Sequence, residues 1–280
     1  KDRYIDVGIA EDVAVTVGAG LALRGEKPIV AIYSTFLQRG FDQVIHDVAI
    51  ENLDVLFAID RAGLVGGDGA THQGVYDMAY LRAIPNMSIA MPRDVNEMRA
   101  MLKAALRIGG PKAVRWPRGG VAPAPDAPVE AWDDIAWGSW QVAKEPASGA
   151  APVWLLGIGP TVEYALTAAA GRPDVGVINA RFVKPLDEVL LHRVAATARQ
   201  LVTIEDHTVV GGLGAAVLES LTAAGIATPV RLLGVHDVIV PHGDPASQHE
   251  ELGYGPKAIA ALLDGLRTEG HAQRAEEVVR

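Results

Sequence analysis

Two periodicities alternate along the chain. The short apolar runs 27–33 (KPIVAIY), 55–59 (VLFAI), 87–90 and 113–116 read as buried strands. Between them, 12–23, 42–52, 75–81 and 95–108 space their apolar residues as helices do. Pro92-Arg93-Asp94 makes a helix start, with Asp94 placed to accept hydrogen bonds from the first turn. After residue 150 the alternation returns, with strands at 153–158, 175–178, 201–204 and 230–233 and helices at 161–170, 188–198, 214–224 and 256–266. The pattern predicts an α/β fold of two parallel-type α/β domains joined internally by right-handed crossovers. Tyr4 to Val7 reads as a further strand leading into the first helix, and the polar tail from Thr268 is expected to fray. Pro117, Pro123, Pro125 and Pro128 interrupt the periodicity and mark a linker. Trp116, Trp132, Trp137 and Trp140 lie at or just beyond it and are expected to staple it onto both domains. The expected division is a first domain at 1–121, a Pro/Trp-rich linker at 122–150 and a second domain at 151–280. The first residue is Lys1 and the opening strand has no element before it, so the chain is expected to be a piece of a longer protein.

Composition narrows the function. With 49% hydrophobic and 21% charged residues, 280 residues can bury a substantial core, which excludes a disordered chain. The absence of cysteine excludes disulfides, iron–sulfur clusters and thiolate chemistry. A net charge of −9 argues against a nucleic-acid partner, and no apolar run approaches the roughly 18–20 residues of a membrane span. An anionic substrate would have to be gathered by local Arg or Lys against an unfavourable overall field.

Ligands of open parallel sheets bind at the carboxyl ends of strands. The first such loop carries Glu11 at the opening of a helix that is almost uncharged after Asp12, so this carboxylate needs a partner. The second, Tyr33-Ser34-Thr35-Phe36-Leu37-Gln38-Arg39-Gly40, brings aromatic, hydroxyl and guanidinium groups together, which suits a flat heteroaromatic ring beside an anion. The third runs from Asp60 and Arg61 through five glycines between Gly63 and Gly74, and adds Asp68, Thr71 and His72. The fourth supplies Arg118. Arg61 and Arg118 together could clamp a phosphate.

Five strings, Val7 to Glu11, Ala31 to Arg39, Phe41 to Asp47, Ile59 to Gly66 and Asp68 to Gly74, resemble the 1-deoxy-D-xylulose-5-phosphate synthases, as does Asn179 to Asp187 in the second half. These are thiamine diphosphate-dependent, transketolase-like enzymes. The resemblance covers most of residues 1–214 and is only general beyond. It implies a cytoplasmic (or plastid) transferase that condenses pyruvate with glyceraldehyde 3-phosphate, releases carbon dioxide, and feeds isoprenoid, thiamine and pyridoxal synthesis. It implies three domains, of which this chain holds the pyrimidine-binding domain, incomplete at its start, and the C-terminal domain, which in the family is usually away from the chemistry. The diphosphate-binding domain of the same protein, with the Mg2+ ligands, is expected outside it, so the chain alone should be inactive. A homodimer is implied as well. Residue by residue, Glu11 is expected at the pyrimidine ring nitrogen N1′, where it favours the imino form that takes the thiazolium C2 proton. Phe36 is expected to stack on that ring, with Arg39 near it. Tyr33, Arg61, Asp68 and Arg118 are expected to hold the phosphorylated aldehyde, and His72 to assist proton transfer.

The chain departs from the family in Asp12-Val13, where Gln-His is usual, and in Gly67, where Ala is frequent. Gly67-Asp68-Gly69 with Asn96 imitates the start of the family's metal motif, but a three-residue match is weak and Asn96 falls within an expected helix, so no metal ligand is expected in this chain. His46 is assigned to packing or an interface, Glu205-Asp206-His207 to a strand-end turn, and Lys184 and Asp187 to a turn cap. His236, His242 and His249 are spaced too irregularly for one metal site. Two other readings are kept: a β-type subunit of a 2-oxoacid dehydrogenase, and a non-catalytic assembly module.

Overall fold

The computed structural model describes residues 3–119, 128, 131–147 and 151–278, with side chains described as far as Arg267. The first half runs α1 (Glu11–Leu23), β1 (Ile29–Tyr33), α2 (Ser34–Leu37), α3 (Phe41–Gln43), β2 (Leu56–Asp60), α4 (Asp77–Arg82), β3 (Ser88–Ala90), α5 (Val95–Ala105) and β4 (Lys112–Arg115). The second runs β5 (Gln141–Lys144), β6 (Val153–Gly157), α6 (Thr161–Ala168), β7 (Val175–Asn179), β8 (Phe182–Lys184), α7 (Glu188–Ala195), β9 (Gln200–Thr208), α8 (Leu213–Ala223), β10 (Val230–Val235), α9 (Pro245–Glu251) and α10 (Pro256–Val278).

Two five-stranded sheets result, ordered β1-β2-β4-β3-β8 and β10-β9-β6-β7-β5. Within each, four strands are parallel and one edge strand, β8 or β5, is antiparallel. The eight parallel strands coincide with the eight apolar runs; β2, β3, β4, β6, β7 and β9 are interior and read as continuous hydrophobic segments, while β1 and β10 lie at the outer edges of their sheets. The two antiparallel edge strands escape that pattern. β5 lies inside the stretch expected to be linker, and Pro123 and Pro125 of that stretch lie outside the described residues. β8 belongs by sequence to the second half yet completes the first sheet, with Ile89 opposite Lys184 and Ala90 opposite Phe182.

This crossing ties the halves together. Lys184 Nζ donates to the carbonyls of Arg82 and Ile84 at 3.0 and 2.6 Å. Trp140 Nε1 donates to the Phe182 carbonyl at 2.8 Å, and Trp137 packs edge-on to the Phe182 ring. Asp94 caps α5 as expected, accepting from Glu97 N at 2.8 Å. Glu97 itself is buried and accepts from Asn179 Nδ2 and Arg181 Nε across the interface. Both hydrophobic cores contain residues from each half: one joins Val15, Phe57 and Ile89 to Leu156, Ile178 and Phe182, and the other joins Leu64 and Val75 to Val202, Tyr254 and Ile259.

Three expectations are corrected. Tyr4 to Val7 is not a strand: no ladder partner adjoins it among the described residues, and Tyr4 and Ile5 are exposed. The helix expected at 42–52 is instead the end of α3 followed by a π-helical segment (Val44–Ala49), in which Val44, Val48 and Ala49 are buried. Lys184 does not cap a turn, although Asp187 caps α7 by accepting from Leu190 N at 2.9 Å.

Beneath the carboxyl ends of the first sheet, Arg115 is wholly buried and donates from Nε to the equally buried Asp77 at 2.9 Å. Replacing Arg115 by Met strands a buried carboxylate, so urea unfolding of Arg115→Met should fall by about 3–5 kcal/mol, while the Asp77→Leu/Arg115→Met double variant should recover much of the loss.

Candidate active site

The carboxyl ends of β1, β2 and β4 and the start of α1 converge. β1 ends at Tyr33 and turns at once into α2, whose single turn points Phe36 back along the strand end. The Tyr33 and Phe36 rings are stacked, with centroids 5.6 Å apart and planes 16° from parallel. His72 meets the Phe36 ring edge-on at 5.4 Å. The Arg39 guanidinium stands 5.3 Å from the Phe36 centroid and 3.4 Å from Glu11 Oε1. Glu11 is the first residue of α1 and its side chain is 12% exposed, while that of Arg39 is 62% exposed. The helix N-terminus and one distant, solvated guanidinium are therefore the compensation visible for this shielded carboxylate.

β2 ends at Asp60, and Arg61 follows in the left-handed region at φ 56°. That turn lays its guanidinium 3.9 Å over the Tyr33 ring, where it is bonded to Asp60 Oδ2 at 2.5 Å. The chain then enters the glycine-rich loop. Gly63 and Gly74 exchange backbone hydrogen bonds of 2.7 and 2.8 Å, closing the loop at its base. Gly74 is required there, since a Cβ would come within 2.1 Å of the Arg61 carbonyl. Inside the loop, Thr71 Oγ1 is 2.8 Å from His72 Nδ1, and Thr35 Oγ1 donates to the Thr71 carbonyl. Arg118, beyond β4, bonds Asp68 at 2.8 Å and the Val65 carbonyl at 3.0 Å.

Glu11, Tyr33, Phe36, Arg39, Arg61 and His72 are thus one cluster. Asp68 and Arg118 form a pair on the neighbouring part of the loop. The two arginines expected to act together each hold a carboxylate of their own, Asp60 and Asp68. Among the described residues, no three His, Asp, Glu or Cys side chains gather in a way that could hold a metal ion. His46 is exposed and hydrogen-bonded to its neighbour Asp47.

Several contributors were missed. Asp60 sits beside Arg61 in sequence, and its pairing could have been read from adjacency. Arg115 hides in an apolar run, and its Nη2 donates to the Gly74 carbonyl at 3.2 Å. Glu205-Asp206-His207 is not a turn. It is the end of β9, and all three residues are buried: Asp206 and His207 find partners across the seam between the sheets, and Glu205 finds its own in α8. Glu205 accepts from the Leu213 and Gly214 amides, and His207 Nε2 accepts from the Ala79 amide. Asp206 takes the Leu64 amide of the glycine-rich loop. Burial pushes Glu205 up to about 7, against the pull of those amides. Burial and the charge of Arg115 push His207 down to about 4. Asp206 loses hydration too, but His249, Tyr254 and Leu64 outweigh the loss and hold it below the usual carboxylate value.

Residues 1–123 match the transketolase pyrimidine-binding domain and residues 145–259 match the transketolase C-terminal domain. A 1-deoxy-D-xylulose-5-phosphate synthase of Thermus thermophilus is 56% identical over 265 residues, covering 95% of this chain and 42% of its own length. That of Methylibium petroleiphilum is 52% identical over 259 residues, covering 92% of this chain and 40% of its own length. The chain thus spans about two fifths of these curated relatives. A solved structure described as a split-gene transketolase, inactive β4 tetramer, superposes with a TM-score of 0.80 at 31% identity, covering 94% of this chain and 83% of that one.

The buried seam predicts a pH response. His207 takes its proton at about pH 4 when folded and near its ordinary 6.5 when unfolded, so its neutral burial loses stability as pH falls through that window. Glu205 acts in the opposite direction, losing stability as pH rises from its ordinary 4.5 to about 7. In His207→Asn only the second effect remains. Measured by urea unfolding, the deficit of this variant against the parent should shrink by roughly 2 kcal/mol between about pH 6.5 and 4.5.

Proposed function

The chain belongs to the transketolase family, and on that premise we propose that it is part of a 1-deoxy-D-xylulose-5-phosphate synthase. That enzyme would condense pyruvate with glyceraldehyde 3-phosphate, releasing carbon dioxide, at the head of isoprenoid precursor synthesis. The observation that carries the reading is the convergence of the Glu11 carboxylate, the Phe36 ring and the Arg39 guanidinium beside a loop bearing His72.

The residues fit the aminopyrimidine of thiamine diphosphate. Phe36 is only partly buried, so its ring has surface left for a flat partner. Glu11 is mostly shielded from water, and its contact with Arg39 is long for a hydrogen bond, which leaves it acceptor capacity. Glu11 would hold the ring nitrogen, Phe36 its face and Arg39 its flank. When bound, thiamine diphosphate supplies a nucleophilic carbon and a sink for the electrons released as carbon dioxide leaves. The chain's own residues do the rest. The carboxylate of Glu11 holds a proton at the ring nitrogen. His72, with Nδ1 engaged by Thr71, has Nε2 to exchange a proton with a substrate oxygen. Arg61 and Arg118 would take the phosphate of the aldehyde, exchanging their hold on Asp60 and Asp68 for a dianion, with Tyr33 and Asp68 lining the approach.

The diphosphate and Mg2+ would be held by a diphosphate-binding domain outside these 280 residues, for which the relatives' greater length leaves room. A homodimer is in keeping with a similar structure described as an oligomer. A cytoplasmic location suits the bacterial relatives and the phosphorylated substrate.

In the complete protein, Glu11→Gln should lower kcat about a hundredfold or more in a carbon dioxide release assay, since the proton at the ring nitrogen loses its acceptor. Arg61→Ala should raise KM for glyceraldehyde 3-phosphate by about tenfold to a hundredfold and leave KM for pyruvate nearly unchanged. Acyl transfer to a lipoyl domain in place of sugar phosphate formation would overturn the assignment, as would full activity of Glu11→Gln.

A further inference from the structure

The second domain is built into the floor of the glycine-rich loop. Leu64 opens that loop, and its amide is 3.1 Å from both carboxylate oxygens of Asp206, a residue 142 positions later in β9. The approach is close enough to dictate the neighbouring residue: a Cβ on Gly63, which sits at φ 84°, would fall 2.0 Å from Asp206 Oδ2. Asp206 is itself held from behind. Tyr254, wholly buried, donates its hydroxyl to Oδ1 at 2.9 Å. His249 Nε2 stands 3.5 Å from Oδ2, and His249 Nδ1 meets the Tyr164 hydroxyl at 3.0 Å.

Other contacts reinforce the arrangement. Gln73, near the loop's far end, accepts from Val65 N at 2.8 Å and donates to the Pro241 carbonyl at 3.0 Å. The Leu64 and Val75 side chains belong to the second domain's hydrophobic core. At the tip, Thr71 and His72 face the Phe36 side of the site, while Asp68 pairs with Arg118. A loop with this many glycines has many conformations to lose, so its ordering depends on such fixed acceptors.

The geometry points to Asp206 as a positioning residue: through the Leu64 amide, the second domain sets the height at which the loop presents Asp68 and His72 to the substrate. This inference rests on the function proposed above for the loop. The hydrogen bonds of Asp206 go to Leu64 and Tyr254 and not to the cluster around Phe36, so its effect is transmitted through the backbone.

The test uses the complete protein with three variants. Asp206→Ala removes the acceptor; Asp206→Asn keeps an oxygen for Leu64 N and Tyr254; Tyr254→Phe removes only the rear support and remains informative if Asp206→Ala does not fold. Asp206→Ala should raise KM for glyceraldehyde 3-phosphate about tenfold with KM for pyruvate within about twofold, and Asp206→Asn should restore most of it. Amide exchange at residues 64–74 should quicken about tenfold or more in Asp206→Ala and less in Tyr254→Phe, with exchange in β1 and β2 unchanged. A purely structural role would lower the active fraction, and hence kcat, without moving either KM or the loop's exchange, and that result would overturn the proposal. If the parent turned over neither substrate, the functional reading would fail while the exchange measurement still judged Asp206.

Discussion

An ionisable side chain removed from water must be given a partner, and this fold removes Arg115, Asp77, Glu205, Asp206 and His207 from water along one seam between its two sheets. None has its full set of partners within its own strand or helix. Arg115 of β4 reaches Asp77 at the start of α4, and Glu205 reaches the first amides of α8. Asp206 and His207 reach back to the first half, at Leu64 and Ala79. The halves cannot separate without exposing or stranding these groups, so the seam commits them to one arrangement. β8, donated to the first sheet by the second half, and Glu97, buried against Asn179 and Arg181, enforce the same arrangement at another point.

The site inherits its order from that seam. Arg115 holds the carbonyl of Gly74, which is bonded in turn to Gly63, and Asp206 holds the amide of Leu64. Both ends of the glycine-rich loop are therefore pinned from below, and the loop's flexibility is confined to the part that carries Asp68 and His72. On the opposite wall, Tyr33 and Phe36 stack on one another at the end of β1, which fixes the ring face and the direction of Arg39. The polar groups at the top can remain loosely partnered because the buried ones beneath are not.

Much of this was legible in the sequence. The eight parallel strands announced themselves as apolar runs, and most candidate residues fell at strand ends, where parallel sheets expose their loops. What the sequence hid follows from the same physics. β5 and β8 are short antiparallel edge strands of four and three residues, too brief to show a strand period, and β8 joins the sheet of the other half. The segment 42–52 reads as helical by period, but its pitch changes from α to π within it. Tyr4 to Val7 has a strand's composition without a ladder to join, which composition cannot reveal. Arg115 ends an apolar strand and Asp206 lies in a polar cluster at the end of β9, and neither reveals its role until its distant partner is known.

The paired arginines sharpen the electrostatic argument. With a net charge of −9 the molecule as a whole repels an anionic substrate, yet Arg61 and Arg118 are not held as bare cations to counter that field. Asp60 and Asp68 already orient them, so the side-chain ordering that a bidentate phosphate contact requires is complete before a ligand arrives. Each carboxylate is a single charge that water can take up once released, because both sit at the exposed end of the sheet. A phosphate dianion in the same place brings twice the charge and a geometry matched to the guanidinium fork. If the proposed function holds, selectivity would arise from exchange: a neutral or singly charged molecule would gain too little from the arginines to displace the resident aspartates, whereas a phosphomonoester would not face that limit.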